Sequence, residues 1–255
     1  MYGIKKRLFV FVCGVLLAST ASADFTKVEM GVGAWMQSPS GNLSYSNAGI
    51  TARDNSKEDR KTSGYAWLLI KHPVPVLPNL RIEYTSVENT GIANGSFKDF
   101  SATNANTKLE INQFDIIPYY NILDNTAWIT LDLGLDIKII DASYKADNVT
   151  VGSVINTSYN DSETIALPLV YMRGRVEIPD TNIGLETDVK YITYSNSTIY
   201  DARVKIDYTL DFVPVIQPAL EVGYRIQKVD IDEDSFDAVA DLEFSGAYVG
   251  LMLRF

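Results

Sequence analysis

The sequence predicts an all-β chain, a single antiparallel up-and-down transmembrane β-barrel of ten strands that follows a cleaved signal peptide. Three observations predict it. Apolar and polar residues alternate over stretches long enough to cross a bilayer. The connections between those stretches alternate between short turns and longer polar segments. The chain opens on an export signal and closes on an alternating strand that ends in Phe255.

The amino terminus carries Lys5, Lys6 and Arg7, then an apolar run from Leu8 to Leu17, then Ala21-Ser22-Ala23. A basic segment, a short apolar segment and small residues before a cleavage point make a secretory signal. Cleavage after Ala23, with Ala21 as the other small recognition residue, leaves a signal peptide 1–23 and a barrel domain 24–255. The apolar run is too short to span a membrane, which takes ~20 residues. Cys13 lies deep in that run and follows Val12 rather than a small residue, which argues against lipidation. It is the sequence's one cysteine, so the mature chain forms no disulfide. Cleavage removes three of 22 basic residues and none of the 32 acidic ones, taking the net charge from −10 to −13. Such a chain lacks the basic surface that nucleic acid requires.

The clearest strand is Thr126–Tyr144. Ile129, Leu131, Leu133, Leu135, Ile137 and Ile139 take one face; Thr130, Asp132, Gly134, Asp136 and Lys138 take the other. Side chains alternate across a strand, so this is a surface apolar on one side and polar on the other. A crossing strand needs ~9–11 residues, whereas soluble strands average ~5–6. The first strand is Phe25–Gln37, with Val28, Met30, Val32, Ala34 and Met36 on one face. Ser63–His72, Leu80–Thr90 and Thr107–Tyr120 follow, the last with an interruption at Asn112-Gln113 that reads as a bulge. After the clear strand come Ser162–Glu177, Ile183–Tyr194, Ile199–Asp211, Pro218–Asp230 and Asp241–Phe255.

Pro73–Asn79, Asn121–Asn125, Ile178–Asn182 and Phe212–Gln217 are short turns rich in Pro, Asn or Asp. Ser38–Thr62, Gly91–Asn106, Lys145–Asp161, Ser195–Thr198 and Ile231–Ala240 are polar loops, all but Ser195–Thr198 longer than the turns. Short turns on the periplasmic side and long loops outside put both termini in the periplasm. Aromatic residues are expected in two girdles: Tyr119, Tyr120, Trp128, Phe212 and Phe255 at the periplasmic rim, and Trp35, Tyr65, Trp67, Tyr144, Tyr194, Tyr200 and Phe244 at the outer rim.

The opposite faces carry charge of both signs. The lumen candidates are Arg81, Glu83, Asp132, Lys138, Arg173, Arg175, Glu186, Lys190, Arg203, Glu221 and Arg225. Lys27, Glu29, Lys108, Glu110, Glu177, Asp188, Lys205 and Asp207 extend the set. A narrow barrel is filled by its own side chains, and mixed charges inside it would pair. A rigid polar plug is the favoured reading and a thin conductive path the other.

Catalytic and metal motifs are absent. The one histidine, His72, sits beside Pro73 at a periplasmic turn. Barrel enzymes such as the omptin proteases, similar to this chain in strand number, and the outer-membrane phospholipase depend on a His at the outer or lipid-facing end. The chain is therefore read as no enzyme, with no cofactor. Asp230-Ile231-Asp232-Glu233-Asp234 offers alternating carboxylates as a calcium loop does, but Ser235 and Asp241 stand where such a loop needs Gly and Glu, so no metal is assigned. Sequons such as Asn42-Leu43-Ser44 reflect loop composition.

Two resemblances add to this. Tyr248, Gly250, Leu253 and Phe255 are similar to the β-signal that the barrel-assembly machinery reads, and their strand would pair with the first and close the barrel. The run His72-Pro73-Val74-Pro75-Val76-Leu77-Pro78-Asn79-Leu80-Arg81-Ile82-Glu83-Tyr84, with Trp67, Gly31-Val32-Gly33-Ala34-Trp35 and Asp132-Leu133-Gly134-Leu135, resembles a family of Gram-negative outer-membrane β-barrel proteins. That resemblance implies fold and location and carries no activity. The expectation is an outer-membrane protein with a structural or surface-interaction role through its loops. Its partners would be membrane lipid, lipopolysaccharide and, during biogenesis, the assembly machinery. A narrow porin-like channel, a surface hydrolase and a soluble periplasmic sandwich are the alternatives.

Overall fold

The computed structural model describes residues 27–47, 50–57, 60–74, 76–194, 196–210, 216–231 and 239–255. The predicted signal peptide and its expected cleavage site at Ala21 and Ala23 lie outside them. So do Phe25 and Phe212.

Eleven strands follow one another: β1 (Lys27–Asn47), β2 (Ile50–Ser56), β3 (Lys61–Lys71), β4 (Asn79–Ser96), β5 (Ser101–Thr126), β6 (Ile129–Val151), β7 (Val154–Glu177), β8 (Ile183–Tyr194), β9 (Ser197–Thr209), β10 (Gln217–Ile231) and β11 (Val239–Arg254). Each pairs antiparallel with its neighbours, and β11 pairs with β1 to close the ring. The closing ladder runs from Glu29↔Arg254 to Ser44↔Val239.

Eleven strands replace the expected ten because the first long connection is itself strand. β1 pairs with β3 over Lys27–Gln37 and with β2 over Asn42–Asn47. β4 likewise pairs with both. Thus β2 stands above β3 in the same place in the ring. The other predicted long loops shorten for the same reason: β4 and β5 continue to Ser96 and Ser101, and β6 and β7 to Val151 and Val154. Their Thr, Tyr, Val and Ile content suits strands, and a packed cluster rewards it. Ala93, Phe100, Ala102, Ala105, Ala146 and Val149 are buried there, with Tyr144 and Tyr159 against them. Phe100 stacks on Phe97 at 4.6 Å and on Tyr159 at 4.7 Å. The end away from the termini is a strand-built extension rather than a set of loops.

Period-two alternation sets the two faces. On β6, Ile129, Leu133, Leu135 and Ile137 are exposed on the outside, while Asp132, Asp136 and Lys138 are fully buried inside. Hydrogen-bonded partners continue the apolar surface sideways: Ile129, Val176, Leu185, Ile206, Val222 and Val249 form one row from β6 to β11. A contiguous apolar belt outside and charge inside invert the pattern of a soluble barrel.

No irregularity interrupts β5 at Asn112-Gln113; the ladder with β4 is continuous through Ser86↔Asn112. The apolar pattern breaks there because Gln113 points inward and exchanges hydrogen bonds with Gln227, while Asn112 accepts one at the outer surface from Tyr84 Oη at 3.0 Å.

Candidate functional site: a lumen filled with charge and aromatic rings

Every lumen candidate in the predicted set is buried inside the ring: Arg81, Glu83, Asp132, Lys138, Arg173, Arg175, Glu186, Lys190, Arg203, Glu221 and Arg225. The register explains it, because each lies on the face of its strand opposite the apolar belt. Lys108 and Glu110 do not join them. They sit on the outward face of β5, half-exposed, in a surface group with Glu88. Alternation alone misassigned them, since above the apolar belt charges occupy both faces of the extension.

The interior is layered. Nearest the termini, Arg254 Nε donates to Glu29 at 3.0 Å and its Nη2 to Asp207 at 2.7 Å, while Arg175 Nη1 donates to Asp207 at 2.6 Å. Glu186 lies above, facing Arg173 at 2.7 Å, Lys205 at 3.2 Å and Arg175 at 3.4 Å. Asp132 takes Arg173 Nη1 at 2.6 Å. At mid-height Glu83 accepts from Arg81 at 2.5 Å, Lys190 at 2.6 Å and Arg203 at 2.5 Å. Asp115 binds Lys190 and, at 2.8 Å, Lys138; Asp201 holds Arg225 at 2.6 Å. Glu29, Asp115, Asp201 and Arg254 complete these pairs. Asp115, Asp201 and Arg254 were not singled out from the sequence, although each sits at the parity that signals an inward position.

Aromatic rings fill the spaces between charges. Trp67 lies between Arg81, at 5.1 Å from the ring centre, and Lys205, at 4.5 Å; Trp35 carries Arg225 at 4.9 Å. Such contacts satisfy cations that have left water. This corrects the girdle assignment. Trp35, Tyr65, Trp67, Tyr119 and Phe244 are inside the ring, each at most 9% exposed. Their odd or even place on the strand matches the charges rather than the belt. Among the described residues, Tyr84, Phe114, Tyr120, Trp128, Tyr191, Tyr194, Tyr208 and Tyr224 are exposed on the outward face, where Tyr200 stands opposite Tyr191.

Above the charged layers Val87, Ile111, Ile140, Leu242 and Phe244 meet inside the ring in one apolar cluster. A small cavity lies among the charges below them. The cavity bounded by Tyr65, Trp67, Arg81, Glu186, Arg203 and Tyr248 measures about 10 Å³, room for roughly one water molecule. A wider vestibule of about 490 Å³ opens at the end that carries the termini, between Lys27, Arg175, Glu177, Asn182, Thr209 and Arg254.

The closing residues are placed as follows. Tyr248 points inward and meets Tyr65 edge-on at 5.4 Å. Gly250 lies beneath Tyr65: a Cβ there would come within 2.3 Å of the Tyr65 hydroxyl. Leu253 is on the outward face, and Phe255 exchanges backbone hydrogen bonds with Val28 at 2.9 and 3.3 Å. His72 knits its own turn. Its Nε2 lies 3.0 Å from Pro78 O, and its Nδ1 accepts from Val74 N–H at 3.2 Å. Asp230 and Asp241 share Lys228 at 3.3 and 3.4 Å; Asp232, Glu233, Asp234 and Ser235 lie outside the described residues.

No protein-family model matches the chain, and no curated protein matches it in sequence. Solved structures do. The outer membrane protease OmpT of Escherichia coli aligns at a TM-score of 0.53 and 12% identity, over 93% of this chain and 99% of that one. A Pseudomonas aeruginosa FadL homologue and the P. putida toluene transporter TodX each align at 0.30 and 8% identity, over 91% of this chain and 90% of theirs, a likeness too weak to argue from. The likeness to the protease shows the fold, a closed antiparallel barrel.

Proposed function

We propose that the chain is a ten-stave barrel of the outer membrane, β2 and β3 sharing one stave, with both termini periplasmic, and that it serves as a structural or surface-interaction protein through its outer extension. Export would follow cleavage after Ala23. Lipid and lipopolysaccharide would surround the apolar belt, and Tyr248, Gly250, Leu253 and Phe255 would serve assembly. The occupied lumen carries this reading. Charge pairs cross-link opposite walls, the rings of Trp67 and Trp35 fill between them, and an apolar layer lies above. Hydrated ions would need both layers displaced. What is left to act is the extension, which stands clear of the belt on β1, β2 and β4–β7.

Conductance tests it. Refolded protein inserted into planar lipid bilayers should show no discrete channel steps. Steps of reproducible size from the heat-modifiable, folded species would favour a narrow channel instead and end the plugged reading.

A further inference from the structure

The barrel wall is uneven at its outer end. β6 and β7 remain paired as far as Val151↔Val154, whereas β7 pairs with β8 only from Val170↔Tyr191 to Glu177↔Gly184. Beyond Val170, β7 has a neighbour on one side only among the described residues.

Two bonds at the foot of β7 fix which backbone groups face the empty side. Glu177 N–H donates to Trp128 O, toward β6, at 2.9 Å, and Ile178 N–H donates to Ile183 O, toward β8, at 3.0 Å. Antiparallel backbones alternate, and the β6–β7 register is unbroken from Ile129↔Val176 to Ala146↔Tyr159. Even-numbered residues therefore present N–H and C=O to the β8 side. Pro168 is even-numbered and stands two residues beyond the last pair. It has no N–H to give, so the ladder to β8 stops there. Farther out, Ser162 N–H is occupied by the Asp161 carboxylate at 2.9 Å. Thr164 and Ala166, between these two guards, and Asn160 beyond them keep open backbone groups.

The empty place has a filled counterpart in the same molecule. β2 stands above the short β3 and pairs with the tall strands on both sides. Nothing among the described residues stands above β8. Asp161 and Glu163 are exposed along the open edge, as is Asp141 across the ladder from Thr164. Lys145, opposite Asn160, is engaged by Asp147 at 3.1 Å.

We infer that the β7 edge over Asn160–Ala166 accepts an extended, basic segment of another polypeptide, which adds to the sheet as a strand antiparallel to β7. This rests on the membrane-barrel reading. Strand addition supplies affinity through the main chain and selects side chains at alternate positions. A second copy does not fit. Two barrels in one membrane are related by an axis along the membrane normal, which makes their β7 strands parallel. A parallel ladder is not self-complementary, because a bonded residue of one strand reaches the two flanking residues of the other.

The test uses refolded, gel-shifted barrel in detergent micelles and a fluorescent peptide of about eight residues alternating Lys and Val. Its controls are the same peptide N-methylated on alternate amides, and a Glu–Val peptide. Fluorescence anisotropy should show binding of the Lys–Val peptide, weakened roughly tenfold or more by methylation or by Glu. The double variant Thr164→Pro, Ala166→Pro removes only N–H groups on the open side, as Pro168 already does. It should keep the gel shift and lose the peptide. Equal binding of the methylated peptide, equal binding by a folded double variant, or no binding by a folded barrel would overturn the inference. So would self-association that the prolines abolish, which would give the edge to a second copy. Failure of the barrel reading shows separately, as absence of any heat-modifiable species.

Discussion

Tyr65 Oη donates a 2.7 Å hydrogen bond to Glu221 Oε1 across the seam where the first and last strands meet. β3 and β10 carry these two residues, and β1 and β11 lie between them. Gly33 and Gly250, one on each strand of the seam, leave the room that the Tyr65 ring occupies. Trp67 repeats the device over Gly31 and donates to the same carboxylate oxygen at 3.2 Å.

Gly250→Ala should therefore weaken the barrel more than Tyr65→Phe. The first drives a methyl into the Tyr65 hydroxyl and the Glu221 carboxylate. The second removes one hydrogen bond to a buried charge that keeps Trp67 and Lys205, a loss of about 1.5–3 kcal/mol. Urea unfolding of refolded protein, followed by the heat-modifiable gel shift, would rank the two. Equal stability of Gly250→Ala and the parent would show that the ring does not rest on the seam.

Glu83 and Asp136 should respond in opposite ways to neutralisation. Glu83 is held by three cations, so Glu83→Gln strands buried positive charge and should cost on the order of 3–5 kcal/mol. Both carboxylate oxygens of Asp136 are buried without a hydrogen bond, and Lys138 Nζ is 4.0 Å away. Asp136→Asn should cost little or add stability. A larger loss at Asp136 than at Glu83, by the same unfolding measurement, would contradict the hydrogen-bonding pattern.

The extension should loosen as pH rises. Asp54 is buried in it, which pushes its carboxyl above the usual range, while hydrogen bonds from Thr107 and Tyr144, each at 2.9 Å, only partly offset this. A folded state that holds its proton more tightly than the unfolded one is favoured at low pH. Asp54's contribution is complete below its ordinary value of 3.8 and is lost as pH climbs through the raised one. Hydrogen exchange in β2 and in β4 near Ala93 should speed up across that window and not in Asp54→Asn. Identical profiles for the two proteins would remove Asp54 as the cause.

Deleting Phe255 should impair assembly rather than any chemistry. It removes the pair of backbone bonds to Val28 and one end of the closing ladder. In cells, the gel-shifted fraction recovered from membranes should fall several-fold. Normal recovery would mean that the seam closes without it.

The two faces of the barrel were legible because a strand's period is two and the belt's aliphatics are unmistakable: Ile129 to Ile139 announces itself. Positions where the inward side chain is aromatic were not. Trp35 and Trp67 look like membrane-surface residues in sequence, and only their parity relative to Glu29 and Leu69 shows that they point inside. The extension was illegible for another reason. Asn, Ser and Thr between Asn42 and Thr62 read as loop, yet these residues pair because the neighbouring strands are long enough to hold them. The partners within the lumen could not be read at all. Glu83 and Lys190 are 107 positions apart, and closure of the ring alone brings them to 2.6 Å.

That closure has a consequence for how the protein can be made. Arg254 answers Glu29 on the first strand and Asp207 on the ninth, so the lowest tier of charge is complete only when strands from both ends of the barrel are side by side. A ring lacking the last strand would leave Glu29 to Lys27 and Asp207 to Arg175, each one cation short of its full set. Closing the seam and completing the lowest tier of charge are then one event.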